Sequence, residues 1–320
     1  MAHFDLPLDQ LRTYRSSTGV PDDFDDFWAS TLASSRHAGW PVRAEKIDAA
    51  LCLVDVYDVT FAGYDGDEVR AWWQVPAGTA PTAIIVESAG YAGGRGAPAE
   101  VGAYPLAGYA RLLVATRGQG WNIGGGGATD DPHGSASSAP GVMTRGIQSP
   151  ETYYYRRAYT DAVRAVDAAR ELAPGVPVYV TGISQGGGLT IAAAALADDI
   201  AGALPDVPFL CDFPRATTLV DTQPYGEIRT YLASHRDEVA RAFHTLSYFD
   251  GATLAARATA PALFSTALMD ETCPPSTVFA AFNAWASDDK DIEVYPFNGH
   301  EGGATDHLGK RLTWLRERVG

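Results

Sequence analysis

Short, continuous runs of apolar residues alternate with amphipathic helical patterns along most of the chain, and this alternation limits the fold more than any other feature. Residues 82–88 (TAIIVES), 106–120 and 176–182 (VPVYVTG) each contain such a run. Strands that are apolar on both sides are typical of sheets covered on both faces. A helical pattern at residues 156–175 lies between two of them. The alternation predicts a doubly wound, mostly parallel sheet.

The remaining segments fit this plan with two additions. Residues 21–36 predict a helix, and residues 51–75 predict two strands joined by the turn GYDGD, which is an N-terminal antiparallel hairpin. Near the C-terminus, two further strands are predicted at 261–270 and 291–300, and two further helices at 277–286 and 308–319. Residues 205–260 break the rhythm with Pro-rich turns and a helical stretch, and we interpret them as a helical insertion over the edge of the sheet where ligands bind. We expect one domain over residues 1–320.

The composition limits which partners the chain can bind and which cellular compartment it fits. The chain has 24 Lys and Arg against 39 Asp and Glu, a net charge of −15, so we expect neither nucleic acid nor an anionic membrane as a partner. No run approaches the roughly 18 apolar residues of a membrane span, and the N-terminus lacks a secretory pattern. Cys52, Cys211 and Cys273 are widely spaced. They fit a reducing cytoplasm and argue against a disulfide framework or a zinc site.

The stretch GISQGGG at residues 182–188 contains the pattern Gly-x-Ser-x-Gly, centred on Ser184. The pattern alone is weak, because a chain with 33 glycines can contain it by chance. Its context is stronger, because it lies between the predicted strand at 176–182 and a predicted helix at 189–197. A nucleophile elbow needs this strand–turn–helix, which raises the serine hydroxyl above the sheet and directs the N–H of Gln185 to the oxyanion position.

A serine nucleophile needs a base, and the base needs an orienting acid, in the chain order Ser, Asp or Glu, then His. Four histidines follow Ser184: His235, His244, His300 and His307. His300 alone follows directly on a predicted strand, and Asp270 ends the preceding strand. We therefore predict a triad of Ser184, Asp270 and His300. The alternative is that His300 caps the last helix and Asp270 caps a turn.

Other chemistry has weaker support. The loop SAGYAGG at 88–94 is expected to supply a second oxyanion donor, with Tyr91 the candidate, although an ordinary glycine turn explains it equally well. The sequence has no P-loop, no G-x-G-x-x-G after a strand and no HExxH, so we expect no cofactor and no metal. His133 with Asp130 and Asp131 is a metal-site candidate, against which a solvated loop is favoured.

Several stretches, spread over nearly the whole chain, match one known family. They are LRTYRSSTGVPDDFDDFW near the N-terminus, RGQG (117–120), MTRGI (143–147), TYYYRRAYTDAVRAVD (152–167), GISQGGG (182–188), PFLCDFPRA (208–216), TLSYFDG (245–251), ALMDETCPPSTVFAAFN (267–283) and NGHEGG (298–303). On these the sequence resembles the acetyl xylan esterase/cephalosporin C deacetylase family, carbohydrate esterase family 7. The combination of RGQG, GxSQG and His-Glu is specific to that family.

The resemblance implies a fold and a catalytic site. The fold is that of the α/β hydrolases, and the triad is Ser184, Asp270 and His300. The oxyanion donors are the backbone N–H groups of Tyr91 and Gln185. These agree with the candidates chosen from the residues alone. The resemblance adds most support for Tyr91, which the residues alone left open.

The resemblance also implies roles around the site and an activity. The RGQG signature orders the loops near the active site through Arg117 and Gln119, and Glu301 completes the His-Glu pair. The family implies a cytoplasmic homohexamer, a trimer of dimers. It implies removal of acetyl groups from small acetylated xylo-oligosaccharides and from cephalosporin C.

Two departures from the family leave the substrate open. The loop at 121–141 is unusually rich in glycine and serine, and Ile183 stands where glycine is frequent. Another acyl hydrolase, such as a short-chain carboxylesterase, lipase, thioesterase or peptidase, is therefore one alternative. A non-catalytic hydrolase-like binding protein is the other, although such proteins usually lack a triad member.

Overall fold

The computed structural model describes residues 3–122, 124–134 and 138–319. Nine strands within these residues form one sheet. They are β1 (Arg43–Ile47), β2 (Val54–Ala62), β3 (Glu68–Pro76), β4 (Ile84–Ser88), β5 (Ala110–Val114), β6 (Val178–Ile183), β7 (Gly202–Asp206), β8 (Ala262–Ala267) and β9 (Lys290–Tyr295). Their order is β1-β2-β3-β5-β4-β6-β7-β8-β9. The first three pairs in this order, which join β1, β2, β3 and β5, are antiparallel, and the other five pairs are parallel.

Helices fill most of the connections between these strands. In the described residues they are α1 (Leu8–Leu11), α2 (Phe24–His37), α3 (Ala103–Leu106), α4 (Tyr154–Leu172), α5 (Gln185–Leu196), α6 (Phe213–Leu219), α7 (Tyr225–Ser234), α8 (Val239–Ser247), α9 (Gly251–Ala255), α10 (Pro275–Ala284) and α11 (Ala304–Val319). Among the helices described, none is both long and apolar enough to cross a bilayer.

Alternate residues of the central strands pack into two separate cores. On one face Val86 and Val180 belong to the core that includes α4 and α5. On the other, Ile85 and Tyr179 pack with Trp314 of α11. Each fully buried aliphatic side chain contributes about 1.5–3 kcal/mol, so both faces must be covered. The predicted doubly wound, mostly parallel sheet with an N-terminal antiparallel hairpin is confirmed.

Two strands escaped the sequence prediction. The edge strand β1 (RAEKI) is polar and largely exposed, so it carries no apolar pattern. It forms by pairing with β2. The strand β7 (GALPD) contains Gly202 and Pro205, which disfavour strands, yet all five of its residues are buried. Its place between β6 and β8 overrides that local preference. The segment 205–260 therefore contains the end of β7 as well as α6 to α9.

Asp250 is a fully buried carboxylate that caps α9. It accepts hydrogen bonds from the N–H groups of Asp212 (2.8 Å), Ala252 (2.9 Å) and Phe213 (3.0 Å). Burial, and secondarily the charge of Asp212, raise the pKa of Asp250 from 3.8 to about 6 despite these bonds. The folded state therefore binds this proton more tightly than the unfolded state does. From this group the free energy of unfolding falls as pH rises from about 4 to about 6, by up to about 3 kcal/mol.

Replacing Asp250 with asparagine should remove this part of the pH dependence, because the amide does not titrate. Urea unfolding of both proteins at pH 4, 5, 6 and 7 measures it. We expect the stability of the wild type relative to Asp250→Asn to decrease across this interval. The hydrogen bond that the amide cannot replace adds a constant difference at every pH. Parallel curves for the two proteins would contradict the raised pKa.

Candidate active site

Ser184 lies in a sharp turn between the end of β6 and the start of α5. Its backbone has φ 57° and ψ −118°, a conformation that costs a residue with a Cβ about 1–3 kcal/mol. Neighbouring segments hold it there. The Ser184 N–H donates to the Asp206 carbonyl of β7 (2.9 Å), and the Ser184 carbonyl accepts from the N–H groups of Phe209 (2.9 Å) and Gly188 (3.0 Å). This is the strained strand–turn–helix that a nucleophile elbow requires.

The helix α5 begins at Gln185, directly after Ser184, and not at the predicted 189–197. Glycine is a poor helix former, which is why the sequence placed the helix later. Here the glycines allow close approach. A Cβ on Gly186 would lie 2.1 Å from the Ser88 carbonyl oxygen, and one on Gly182 would lie 2.5 Å from the Gly186 carbonyl carbon. Without side chains at both positions, the elbow can sit against β4.

The structure brings Asp270 and His300 together, as the chain order predicted. Asp270 is fully buried just after β8. Its Oδ1 accepts from the N–H groups of Thr272 (2.8 Å) and Cys273 (2.9 Å), and its Oδ2 lies 2.9 Å from Nδ1 of His300. His300 follows β9, and about a third of its side chain is exposed. With Nδ1 held by a carboxylate, Nε2 remains available as a base.

Cys273 lies beside this pair and near Ser184, and sequence reasoning missed it. Its sulfur and one ligand atom each of Asp270 and His300 lie within 4.8 Å of one another. Burial raises the pKa of the Cys273 thiol well above its usual range, the charge of Asp270 raises it further, and interaction with Ser184 lowers it. These three groups could in principle hold a metal. Asp270 and His300 already bind each other, however, and the thiol stays protonated, so the set fits proton transfer better.

Glu301 stabilises the loop that carries His300. Its Oε1 accepts from the side-chain amide of Asn298 (3.1 Å) and from the N–H of Gly299 (3.2 Å). Backbone N–H groups, its own and that of Gly299, hold the pKa of Glu301 below its usual value. The carboxylate of Glu301, the residue that follows His300, thus closes the loop on the two residues that precede His300.

Gln119 connects the two segments that carry the predicted oxyanion donors. It is buried, and its Oε1 accepts from the Ala92 N–H (2.8 Å), while its Nε2 donates to Oε1 of Gln185 (2.8 Å). Among the hydrogen bonds of the described residues, neither the Tyr91 N–H nor the Gln185 N–H donates to a protein atom. Gln185 is also the first residue of α5, where the helix dipole favours negative charge. Both N–H groups are therefore available to a developing oxyanion.

Arg117 acts at a distance from these atoms, in a buried cluster of charges. It is fully buried and donates to both carboxylate oxygens of Asp161 (2.6 and 2.8 Å), and to Asp67 (2.9 Å) and Asp131 (3.3 Å). Although burial lowers the pKa of Arg117, Asp161 and the other carboxylates raise it above the ordinary value. The Arg117 carbonyl also accepts from the Tyr154 hydroxyl (2.6 Å). The cluster fixes the start of the loop that contains Gln119.

At the metal-site candidate, the side chains of Asp131 and His133 pair with other protein side chains. The Asp131 side chain is only 2% exposed and pairs with Arg157 at 2.7 Å, in addition to Arg117. Nε2 of His133 lies 3.0 Å from Asp67. The favoured reading of a solvated loop is therefore wrong for Asp131, although Asp130 is exposed. The Asp131 carboxylate is neutralised by guanidinium groups, which leaves little reason for a cation there.

An open cleft of about 660 Å³ borders the elbow and the 88–94 loop. Its walls combine glycine backbone with four charged side chains: Glu87, Arg95, Glu100 and Arg111. Ile183, which departs from the family pattern, lies at the edge of this cleft and is 42% exposed. The cleft therefore carries four charged groups, although Ser184 itself is not among the residues that line it.

The described geometry has clear relatives. The family model for acetyl xylan esterase (AXE1) matches residues 1–318. An acetyl xylan esterase from Paenibacillus sp. R4 shares 36% identity and a TM-score of 0.89, covering 98% of this chain and all of its own. The acetyl xylan esterase 1 of Thermoanaerobacterium sp. JW/SL YS485 shares 31% identity and a TM-score of 0.87, covering 98% of this chain and 99% of its own. Acetyl esterase Axe7A of Xylanibacter ruminicola is 25% identical over 94% of this chain and 68% of its own.

Proposed function

The chain belongs to the acetyl xylan esterase family, and from this and the site we infer that it removes acetyl groups from small acetylated carbohydrates as a serine esterase. Acetylated xylo-oligosaccharides and cephalosporin C-like acetyl esters are the proposed substrates. One observation carries most of the argument. Ser184 occupies a strained elbow, and the hydrogen-bonded pair Asp270–His300 lies at the ends of nearby strands of the same sheet.

In the first half of the proposed reaction, Nε2 of His300 takes the proton of the Ser184 hydroxyl while its oxygen attacks the acetyl carbonyl carbon. Asp270 holds the imidazole by Nδ1–H and stabilises its positive charge. The N–H groups of Tyr91 and Gln185 donate to the oxygen that becomes negative. His300 then gives its proton to the sugar oxygen as the carbon–oxygen bond breaks. The product alcohol leaves, and the acetyl group remains on Ser184.

In the second half, His300 takes a proton from water, and the resulting hydroxide adds to the acetyl carbonyl. The tetrahedral intermediate collapses, acetate leaves, and the Ser184 oxygen regains a proton from His300. The side chains and backbone groups named here supply every proton transfer, so the proposed mechanism uses no metal and no cofactor.

A series of p-nitrophenyl esters from acetate to octanoate tests which length of acyl chain the enzyme prefers. We expect kcat/KM to be highest for acetate and at least about 100-fold lower for octanoate, because a pocket that fits an acetyl group excludes longer chains. Acetate release from acetylated xylo-oligosaccharides and from cephalosporin C, measured with the same preparations, tests which alcohol portion of the ester the enzyme accepts. Ser184→Ala supplies the background rate. The four charged side chains in the cleft beside Ile183 support a polar alcohol over a lipid.

The two alternatives give different results. A preference for octanoate over acetate would favour a lipase-like or general carboxylesterase activity, and turnover of an acyl-peptide alone would favour a peptidase. A binding protein without catalysis would leave Ser184 unlabelled by a fluorophosphonate. An apolar groove beside the elbow would support a lipid substrate, whereas the cleft found there is lined by charged groups and glycines.

The compartment and assembly are proposed on the family resemblance. We propose a cytoplasmic protein that forms a homohexamer, a trimer of dimers, with neither nucleic acid nor a membrane as a partner. The net charge of −15 supports the last point. Light scattering at micromolar concentration tests the assembly, and the mass of a single chain would contradict the hexamer.

A further inference from the structure

Glu227, on α7, accepts hydrogen bonds from three groups that lie 84 to 136 residues away in the chain. Its Oε1 accepts from the Tyr91 hydroxyl (2.5 Å) and from the Gly141 N–H (3.1 Å), and its Oε2 accepts from the Met143 N–H (3.1 Å). One carboxylate thus connects α7 to the loop of Tyr91 and to the end of the glycine-rich loop. Sequence reasoning did not single out Glu227, because on its helix it is one polar residue among others.

We propose that Glu227 is a positioning residue that holds the Tyr91 side chain and thereby fixes the direction of the Tyr91 N–H at the oxyanion position. This inference rests on the proposed function, in which that N–H stabilises the oxyanion. Glu227 itself touches no reacting atom in the proposed mechanism. Its effect passes through Tyr91.

The Tyr91 residue is held on two sides. On the backbone side, the N–H of the next residue, Ala92, donates to Gln119, and Ala92 has a positive φ of 66°. On the side-chain side, the hydroxyl donates to Glu227 and the ring packs edge-on against Trp121, with centroids 5.5 Å apart. A peptide held only at one end could rotate. The Gly90 carbonyl, which shares a peptide group with the Tyr91 N–H, also accepts from the Gly93 N–H at 2.9 Å. Together with this bond, the two contacts restrict the orientation of the Tyr91 N–H, which preorganised oxyanion stabilisation requires.

The electrostatics favour this contact. Burial, followed by the hydrogen bond and charge of Glu227, raises the pKa of Tyr91 well above its usual value, so the phenol remains a donor. A hydrogen bond to an ionised carboxylate is stronger than one between neutral groups. The Gly141 N–H also lies 3.4 Å from the Tyr91 oxygen. The end of the glycine-rich loop is therefore part of the same hydrogen-bonded group.

Two variants test the proposal. Glu227→Ala removes both carboxylate oxygens, so the Tyr91 hydroxyl loses its acceptor. Tyr91→Phe removes the hydroxyl and keeps both the backbone N–H and the contacts of Glu227 with Gly141 and Met143. We expect each variant to lower kcat for p-nitrophenyl acetate by about 10- to 100-fold with KM changed less than about twofold, since losing one oxyanion donor entirely costs about 10²–10³ in rate.

A second readout separates positioning from simple loss of structure. A trifluoromethyl ketone forms a hemiketal with Ser184, and its oxygen carries a negative charge at the oxyanion position while His300 holds the serine proton. Its affinity should fall by the same factor as kcat/KM in both variants. The double variant should be little worse than either single one, because both remove the same contact.

Tyr248→Phe is the matched control, since Tyr248 also donates its hydroxyl to a carboxylate, that of Asp23 on the approach to α2. It should lower the melting temperature without changing kcat or inhibitor affinity. The proposal is overturned if both test variants keep kcat within twofold, or if they lose only stability as Tyr248→Phe does. Should Glu227→Ala fail to fold, Tyr91→Phe decides alone.

Ser184→Ala in the same assay separates the two claims. Full activity of that variant would overturn the serine mechanism, and the role of Glu227 with it. An inactive Ser184→Ala beside fully active Glu227→Ala and Tyr91→Phe would overturn the role of Glu227 alone.

Discussion

Replacement of Ser184 by alanine is expected to lower kcat for p-nitrophenyl acetate by about 10⁴- to 10⁶-fold. The change removes the oxygen that would form the acetyl-enzyme, and no other described hydroxyl lies in the elbow. Alanine has the same Cβ as serine, so the strained backbone at φ 57° remains as it is. Residual hydrolysis would come from the oxyanion donors and substrate binding. Initial rates and thermal melting of both proteins measure the two effects.

Ser35→Ala is a suitable control for this change. Ser35 is 1% exposed, compared with 7% for Ser184, and its hydroxyl donates within α2 to the Thr31 carbonyl at 3.0 Å. It should lose some stability and keep its full rate. Wild-type hydrolysis by Ser184→Ala, or fluorophosphonate labelling of a different residue, would contradict the assignment of Ser184 as nucleophile.

Replacement of Asp270 by asparagine is expected to lower kcat by about 10⁴-fold while leaving the fold intact. The neighbouring backbone determines how the new amide sits. The N–H groups of Thr272 and Cys273 both point at the Oδ1 position, so the amide oxygen must occupy it. The NH₂ group then faces Nδ1 of His300 and donates to it. This places the imidazole proton on Nε2, the atom that must accept the proton of Ser184.

The control for this prediction is Asp250→Asn, which alters another fully buried carboxylate that accepts backbone N–H groups. It should keep kcat near the wild-type value at pH 7. Rates at saturating substrate, together with far-UV circular dichroism, distinguish a wrong tautomer from unfolding. If Asp270→Asn retained more than about a tenth of the wild-type kcat, the role of Asp270 in orienting His300 would be refuted.

The sequence predicted well those parts of the fold whose residues carry a local pattern. The continuous apolar runs of β4, β5 and β6 identified buried parallel strands, and the chain order of Ser184, Asp270 and His300 followed from which edge of such a sheet these strands reach. In contrast, β1 is too polar and β7 contains Gly202 and Pro205, so neither has a local signature. Both strands form by pairing with neighbouring strands whose own sequences favour the sheet.

The contacts around the triad could not be predicted for a related reason. Gln119 and Gln185 are 66 residues apart, and nothing in either segment specifies their hydrogen bond. The same holds for Glu227 and Tyr91, which are 136 residues apart. For Cys273 a signal existed, because it follows Asp270 by three residues in a short turn. The spacing of the three cysteines, however, indicates only their redox state and does not indicate proximity to the triad.

The anchoring of the glycine-rich loop has an entropic consequence. Near its middle the Thr129 carbonyl accepts from the Gly118 N–H (2.8 Å), and the Thr129 hydroxyl accepts from the Arg70 N–H (3.0 Å). Two residues later Asp131 is bound by Arg117 and Arg157. The chain between β5 and α4 is thereby closed as two shorter loops. Since doubling the length of a flexible loop costs only about 0.6 kcal/mol, the entropy cost of closing either half changes little with its length, provided that the anchors at Thr129, Asp131 and Gly141 remain.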